Sequence, residues 1–377
     1  MRLLTALIII LIFILPLNAQ QNIEVYLKEK LVIGADENAP EEYCFNYPKN
    51  LIIDSQGNIW VQDMRWNKVR VFDKHGKFIK YIGEIGQGPG ELQECLSTTL
   101  DNNDNLIVTD RKNMRITRFS QMGGKYKCYR LPNNIEPMRI LYLSKNEVIF
   151  YYHKTKLAIP QKTDKLLHVY SNDFQYKKSF GSAGDIYDFN EPFIIEYLSL
   201  DSWATLNNVD SAKVLFVPGF YDGIVYMYEK IKGAWVLKKL HGKNFFKKPY
   251  KLINPNKFNP RHHVPFTNFI SGAMGKFYYK ELCRNIGIVS VDDSTIAHFS
   301  FRVNRKNKYV LNIELFKLTG EFIGYATGAD IKVSPNKQNF IIGSIYCNDE
   351  NYNIYVSECL PGGIVAIKKF TFRYQFK

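Results

Sequence analysis

Shifted against itself by 47 residues, the sequence brings Asp54, Asn58, Val61, Asp63, Phe72 and Gly76 onto Asp101, Asn105, Val108, Asp110, Phe119 and Gly123. A fixed self-similarity of this length marks a chain built from repeated supersecondary units that bury their apolar faces by stacking on one another. Each copy opens with a polar turn, residues 54–58 or 101–105, and continues into a short apolar strand, Ile59-Trp60-Val61 or Leu106-Ile107-Val108. A second polar turn starts at Asp63 or Asp110 and leads to alternating strands over 68–72 and 115–119, which end at turns carrying Gly76 or Gly123. Asp, Asn and Gly clusters between β-branched and aromatic runs predict antiparallel hairpins.

Fragments of the unit recur downstream. Val169-Tyr170 through Phe180-Gly181 parallels Val71-Phe72 through Ile82-Gly83. Phe316, Gly320, Phe322 and Ile323 parallel Phe72, Gly76, Phe78 and Ile79, and residues 353–358 parallel 58–63. No stretch has the period and caps of a long amphipathic helix. The fold class predicted is all-β, a β-propeller of four-stranded blades, with six or seven blades compatible with the inserts around 154–165 and 245–265. The alternating segment Ile23 to Lys28 is expected to supply the outer strand of the last blade, whose other strands come from roughly Ile341 to Phe372, closing the ring and removing exposed edges.

At the start of the chain, Met1-Arg2 precede an apolar run from Leu3 to Leu17 and a small residue, Ala19, before Gln20. This pattern predicts a secretory signal peptide over 1–19 and one propeller domain over 20–377. The protein is therefore expected to be periplasmic, cell-surface or secreted, with no transmembrane segment in the mature chain. At 46% hydrophobic and 15% aromatic residues, the chain has enough apolar area to offset the entropy of ordering. Six cysteines (44, 95, 128, 283, 347 and 359) show neither paired C-x-x-C spacing nor a dense framework, and Cys347 with Cys359 is the pair to test in an oxidising compartment. A net charge of +14 suits an anionic surface, such as acidic glycans, lipid headgroups or an acidic partner. The lysines are spread along the chain, the group from Lys238 to Lys251 being a local concentration only, and export argues against nucleic acid.

Residues 82–92, Ile-Gly-Glu-Ile-Gly-Gln-Gly-Pro-Gly-Glu-Leu, following Phe72-Asp73-Lys74-His75-Gly76-Lys77-Phe78, resemble the NHL repeat and its relatives among exported propellers of Bacteroidetes-type bacteria. The likeness is strong over 51–123 and patchy elsewhere. It implies six blades and an envelope or secreted location, but no single activity, because binding proteins, lyases and lactonases share the fold. The glycines over 86–90 lack phosphate-loop spacing and read as a tight inter-blade connection needing positive φ.

In the resembled fold that connection shares a face with the turn between second and third strands, which gathers Arg65, Trp66 and Asn67 with Arg111, Lys112 and Asn113 of the next blade. Cations beside an aromatic are suited to stacking a sugar ring or clamping a carboxylate, and these six are the candidate ligand-binding residues. The competing reading gives Asp63 and Asp110 turn-capping roles and Trp66 a covering role at a blade edge. His262 and His263 form the chain's only histidine pair but lack companion ligands at metal-binding spacing. There is no nucleophile elbow and no zinc-protease helix, so catalytic residues are unknown. Propeller enzymes of the gluconolactonase type hold a divalent cation in the central channel. No cofactor is called for here beyond that one, with Glu42, Glu191 and Asp201 as undistinguished candidates. The expected function is an exported binding module that recognises a glycan, peptide or envelope protein on its loop-rich face. The alternatives are a cation-dependent hydrolase or lyase at the channel and a structural module of an envelope complex.

Overall fold

A computed structural model describes residues 21–36, 38–64, 66–131, 135–144, 147–152, 159–198, 204–243, 246–254, 256, 267–272, 275–334 and 342–377. Four-stranded antiparallel sheets follow one another as blades. Blade 1 comprises Pro48–Ile53, Ile59–Asp63, Lys68–Phe72 and Phe78–Ile82. Blade 2 runs from Cys95–Leu100 to Tyr126–Arg130, blade 3 from Arg139–Ser144 to Tyr176–Ser182, blade 4 from Thr205–Asp210 to Ala234–His241, and blade 5 from Cys283–Ser290 to Phe322–Thr327. Blade 6 starts with Ile342–Asn348, Ile354–Cys359 and Val365–Phe376 and takes its fourth strand, Ile23–Ile33, from the beginning of the chain. First strands of neighbouring blades touch in the order 1-2-3-4-5-6 and back to 1, so six blades close a ring around a central axis.

The hairpins between first and second strands show why the repeated Asp and Asn are needed. Asp54 accepts hydrogen bonds from the backbone N–H groups of Gln56 and Asn58 and from the Asn58 side chain. Asp101 does the same with Asn103 and Asn105, and Asp349 with Asn351 and Asn353. Each carboxylate replaces the partners that a tight turn takes from backbone donors. The apolar side chains gather into clusters lying between consecutive blades. Trp60, Val71, Leu106 and Phe119 belong to the one joining blades 1 and 2, and Ile23, Leu27, Phe299 and Phe372 to the one joining blades 5 and 6. Inner strands are also stitched directly: Asn50 Nδ2 donates to the Thr98 carbonyl, Ser97 Oγ accepts from Ile140 N, and Asn285 Nδ2 donates to Thr205 Oγ1.

The N-terminal strand closes the ring as its alternation implied, burying Ile23, Val25 and Leu27. Blade 6 differs from the four-strand expectation, because Ile331–Ser334 pairs in parallel with Ile23–Ile33 and makes a fifth strand. The closing strand is thereby removed from the edge. Two further elements had no clear signal: a short helix α1, Pro192–Leu198, and a three-stranded sheet of Tyr250–Ile253, Gly275–Glu281 and Thr267–Gly272 between blades 4 and 5. Cys347 and Cys359 do not pair. Cys347 lies opposite Tyr355 and Cys359 is four residues further along that same strand, a separation of roughly 13 Å at ~3.3 Å per residue and far beyond disulfide reach. The expected signal peptide over 1–19 lies outside the described residues.

Candidate functional site

Antiparallel order puts two kinds of connection at the same end of every blade: the loop between second and third strands, and the link from the fourth strand to the next blade. The opposite end carries the tight hairpins. All the long connections, among them 83–94, the stretch containing α1 and the three-stranded sheet, therefore build on one face. This loop-rich face surrounds one mouth of the central channel.

All six blades contribute to the channel wall, and the polar groups are Lys49, Asn50, Ser97, Arg139, Thr205, Asn285, Ser344 and Tyr346. Among the described lining residues none is a carboxylate, and the ionisable cations are Lys49 and Arg139. A cavity of about 170 Å³ opens at the mouth and shares Lys49, Arg139 and Ser344 with the channel, adding Tyr47, Ser357 and Glu358. Lys49 reaches both spaces because of a backbone irregularity. Pairing with the second strand shifts register between Pro48 and Asn50, as it does between Cys95 and Ser97 in blade 2. An extra residue at such a point is turned out of the ladder and its side chain re-aimed.

The amine of Lys49 makes no hydrogen bond or ion pair to any described residue. Burial foremost, with repulsion by Arg139 and Arg111, pushes it down from its ordinary 10.5 to about 7, and only Glu94 opposes them. Other charges around the mouth are matched. Arg111 pairs with Glu94 and, at 3.9 Å, Glu136; Arg284 pairs with Glu281; Glu358 pairs with Lys368, which also reaches Glu29 at 3.2 Å. Arg139 donates to the Met138 carbonyl at 2.9 Å.

The residues singled out from the sequence divide between structural and open positions. Asn113 donates to the Gly86 carbonyl and to Asp110, and Arg115 donates to the carbonyls of Gln87, Gly88 and Glu91, so blade 2 grips the glycine-rich connection. Gly90, at φ +79°, has its missing Cβ direction filled by the Tyr126 ring at 2.8 Å, which explains the glycine. Asn67 accepts from Cys95 N at 3.4 Å. The Arg70 guanidinium lies 5.8 Å from the centre of the partly buried Trp66 ring. Lys112 is exposed. Arg65, His262, His263 and Asp201 lie outside the described residues. Glu191 pairs with Lys248, and Glu42 sits in a short 3-10 turn.

Asp63 and Asp110 prove to be equivalent anchors with a wider reach than their own turns. Asp63 accepts from the backbone of Asn46 and Tyr47, and Asp110 from that of Gln93 and Glu94. Each fixes the link that enters its blade, and Arg70 pairs with Asp63 in the interior at 3.2 Å. Sequence reasoning missed Lys49 and Arg139. A signal for the first existed: at the 47-residue offset Lys49 stands where the second copy has Leu96.

A closed ring of six antiparallel blades around a channel with a loop-rich mouth defines the class, a six-bladed β-propeller. The family model DUF5128, a 6-bladed beta-propeller, matches residues 39–217, which span the loop entering blade 1, blades 1 to 3 and the two inner strands of blade 4. Among solved structures, a Bacteroides fragilis protein described as exported is similar at 13% identity over 96% of this chain and 97% of that chain, with a TM-score of 0.54. A Bacteroides vulgatus member of the duf4221 family is similar at 10% identity over 94% of this chain and all of the other, with a TM-score of 0.56. No curated protein matches the sequence. The chain is a six-bladed β-propeller, and identities this low transmit the fold alone.

Proposed function

We propose that this protein is an exported binding propeller that seats an anionic group, the carboxylate of an acidic glycan or peptide, in the loop-rich mouth of its central channel. The observation that carries the reading is Lys49, a half-buried amine lining the channel and its mouth, without a partner among the described residues, beside Arg139 and among hydroxyl and amide side chains. Keeping an unmatched cation in such a place disfavours the folded state unless something else binds there, and stabilising pairs are commonly given up at functional sites. An incoming carboxylate would gain charge-assisted hydrogen bonds from Lys49 and Arg139 and relieve their mutual repulsion. The same cations argue against a divalent cation in the channel, which needs anionic oxygen donors. Among the described residues no group of three or more His, Cys, Asp and Glu side chains is placed to hold a metal ion. Export rests on the leader-like start of the sequence; among the described residues no helix is long and apolar enough to cross a membrane.

The test is calorimetric titration with oligogalacturonate and a neutral oligosaccharide of equal length. The acidic sugar should bind at pH 6 and weaken about tenfold by pH 8.5 as the Lys49 amine loses its proton, the neutral sugar should not bind, and Lys49→Met should abolish the signal. Equal affinity of the variant and the wild type would remove the mouth from consideration.

A further inference from the structure

A second cavity, of about 310 Å³, opens on the loop-rich face away from the channel axis. Three segments enclose it: residues 186–194, which include the start of α1, the loop over 218–222 in blade 4, and residues 247–250 at the entrance to the three-stranded sheet. Its walls are mainly apolar and aromatic. Phe220 and Tyr250 are buried with ring centres 5.3 Å apart, and both belong to a tight aromatic cluster with Phe193 and Tyr197. Such rings are held rigidly by their neighbours, so the cavity is preformed.

Two carboxylates line this basin without an ion pair to any described residue: Asp188, which is exposed and accepts from Asn190, and the more enclosed Asp222. Asp222 accepts a hydrogen bond from Ile224 N at 3.2 Å and has no ion pair with any described residue. Burial pushes its carboxyl above the usual range, while Lys239 and His241 act on it only at a distance; the Lys239 amine is itself engaged with the Asp185 carbonyl at 2.7 Å. At the rim, Lys248 is matched by Glu191, and Lys247 is exposed. An apolar cavity with a few placed polar groups is the ordinary form of a small-molecule site. An ammonium would supply the charge-assisted partner that Asp222 lacks, and the ring faces beside it would add cation–π attraction.

We propose that this cavity is a second ligand site, selective for a small primary amine with an aromatic or branched aliphatic body, the ammonium pairing with Asp222 and the body lying against Phe220 and Tyr250. It is independent of the anion site at the channel mouth.

The probe is 2-phenylethylamine, with 2-phenylethanol and 3-phenylpropionate as uncharged and anionic controls, titrated into the full mature chain and followed by ligand-observed NMR. The amine should saturate at millimolar concentration at pH 8, and the alcohol should bind at least about tenfold more weakly. Affinity for the amine should fall as acid protonates Asp222. Asp222→Asn keeps an oxygen to accept from Ile224 N, so its melting temperature should match the wild type while amine affinity drops about tenfold or more. Lys49→Met should leave amine binding unchanged, which separates failure here from failure at the channel. The proposal is overturned if the amine does not saturate, if the alcohol binds equally well, if Asp222→Asn retains full affinity, or if 3-phenylpropionate is the preferred probe.

Discussion

Replacing Lys49 by Met should make the protein more stable while removing its anion binding. The substitution keeps an unbranched side chain of similar length against the channel wall and deletes the charge. In the folded state the amine falls from 10.5 to about 7, which at ~1.4 kcal/mol per decade corresponds to an upper bound of roughly 5 kcal/mol against the charged form. Lys49 is only partly shielded from solvent at the mouth, so screening reduces this to about 1–3 kcal/mol. The sign with pH follows from proton counts. Between pH 7 and 10.5 the unfolded chain holds a proton that the folded chain has released, so wild-type stability rises with pH across that window. The advantage of Lys49→Met is therefore greatest at or below pH 7 and shrinks toward pH 10. Urea unfolding of both proteins at pH 6.5, 8 and 9.5, with equal m-values as the control for a common transition, reads this directly. A variant less stable than wild type at pH 6.5, or a difference that does not change with pH, would refute the argument that Lys49 is an unmatched, desolvated cation.

Two further outcomes are expected. Deleting residues 21–34 removes the closing strand with four buried aliphatics, Ile23, Val25, Leu27 and Ile33; at ~1.5–3 kcal/mol each the loss rivals the whole stability of a domain, so cooperative melting should disappear, and an unchanged melting curve would contradict ring closure by this strand. His298 is fully buried between Asn285, Glu314 and Tyr221, its pKa lowered by burial although Glu314 opposes the shift. Its contribution to stability is complete above the unfolded value of about 6.5 and is lost as pH falls from there through the lower folded value, so His298→Gln should flatten that part of the melting-temperature profile between pH 7.5 and 5. Parallel wild-type and variant profiles would show that the acid sensitivity arises elsewhere.

The repeating unit and its arrangement were legible in the amino-acid order alone. Turn chemistry and strand alternation are local properties, so Asp54 with Asn58 and Asp101 with Asn105 announce their hairpins without reference to the rest of the chain. The drifted copies at 169–181, 316–323 and 353–358 carry the same pattern into blades 3, 5 and 6, and the alternation from Ile23 to Lys28 identifies a strand needing a partner. The fifth strand, 331–334, escaped because four residues are too few to show a period. The candidate sites were decided by tertiary structure. Lys49, Arg139, Thr205, Asn285 and Ser344 are far apart in the chain and face one another only because six inner strands converge on an axis. Whether a lysine there is matched or unmatched depends on which carboxylates Arg111 and Arg284 have already taken. The same holds for Asn113, whose polar side chain suggested a ligand and which instead holds Gly86: a side chain's hydrogen-bonding capacity is written in the sequence, but its partner is selected by packing across blades.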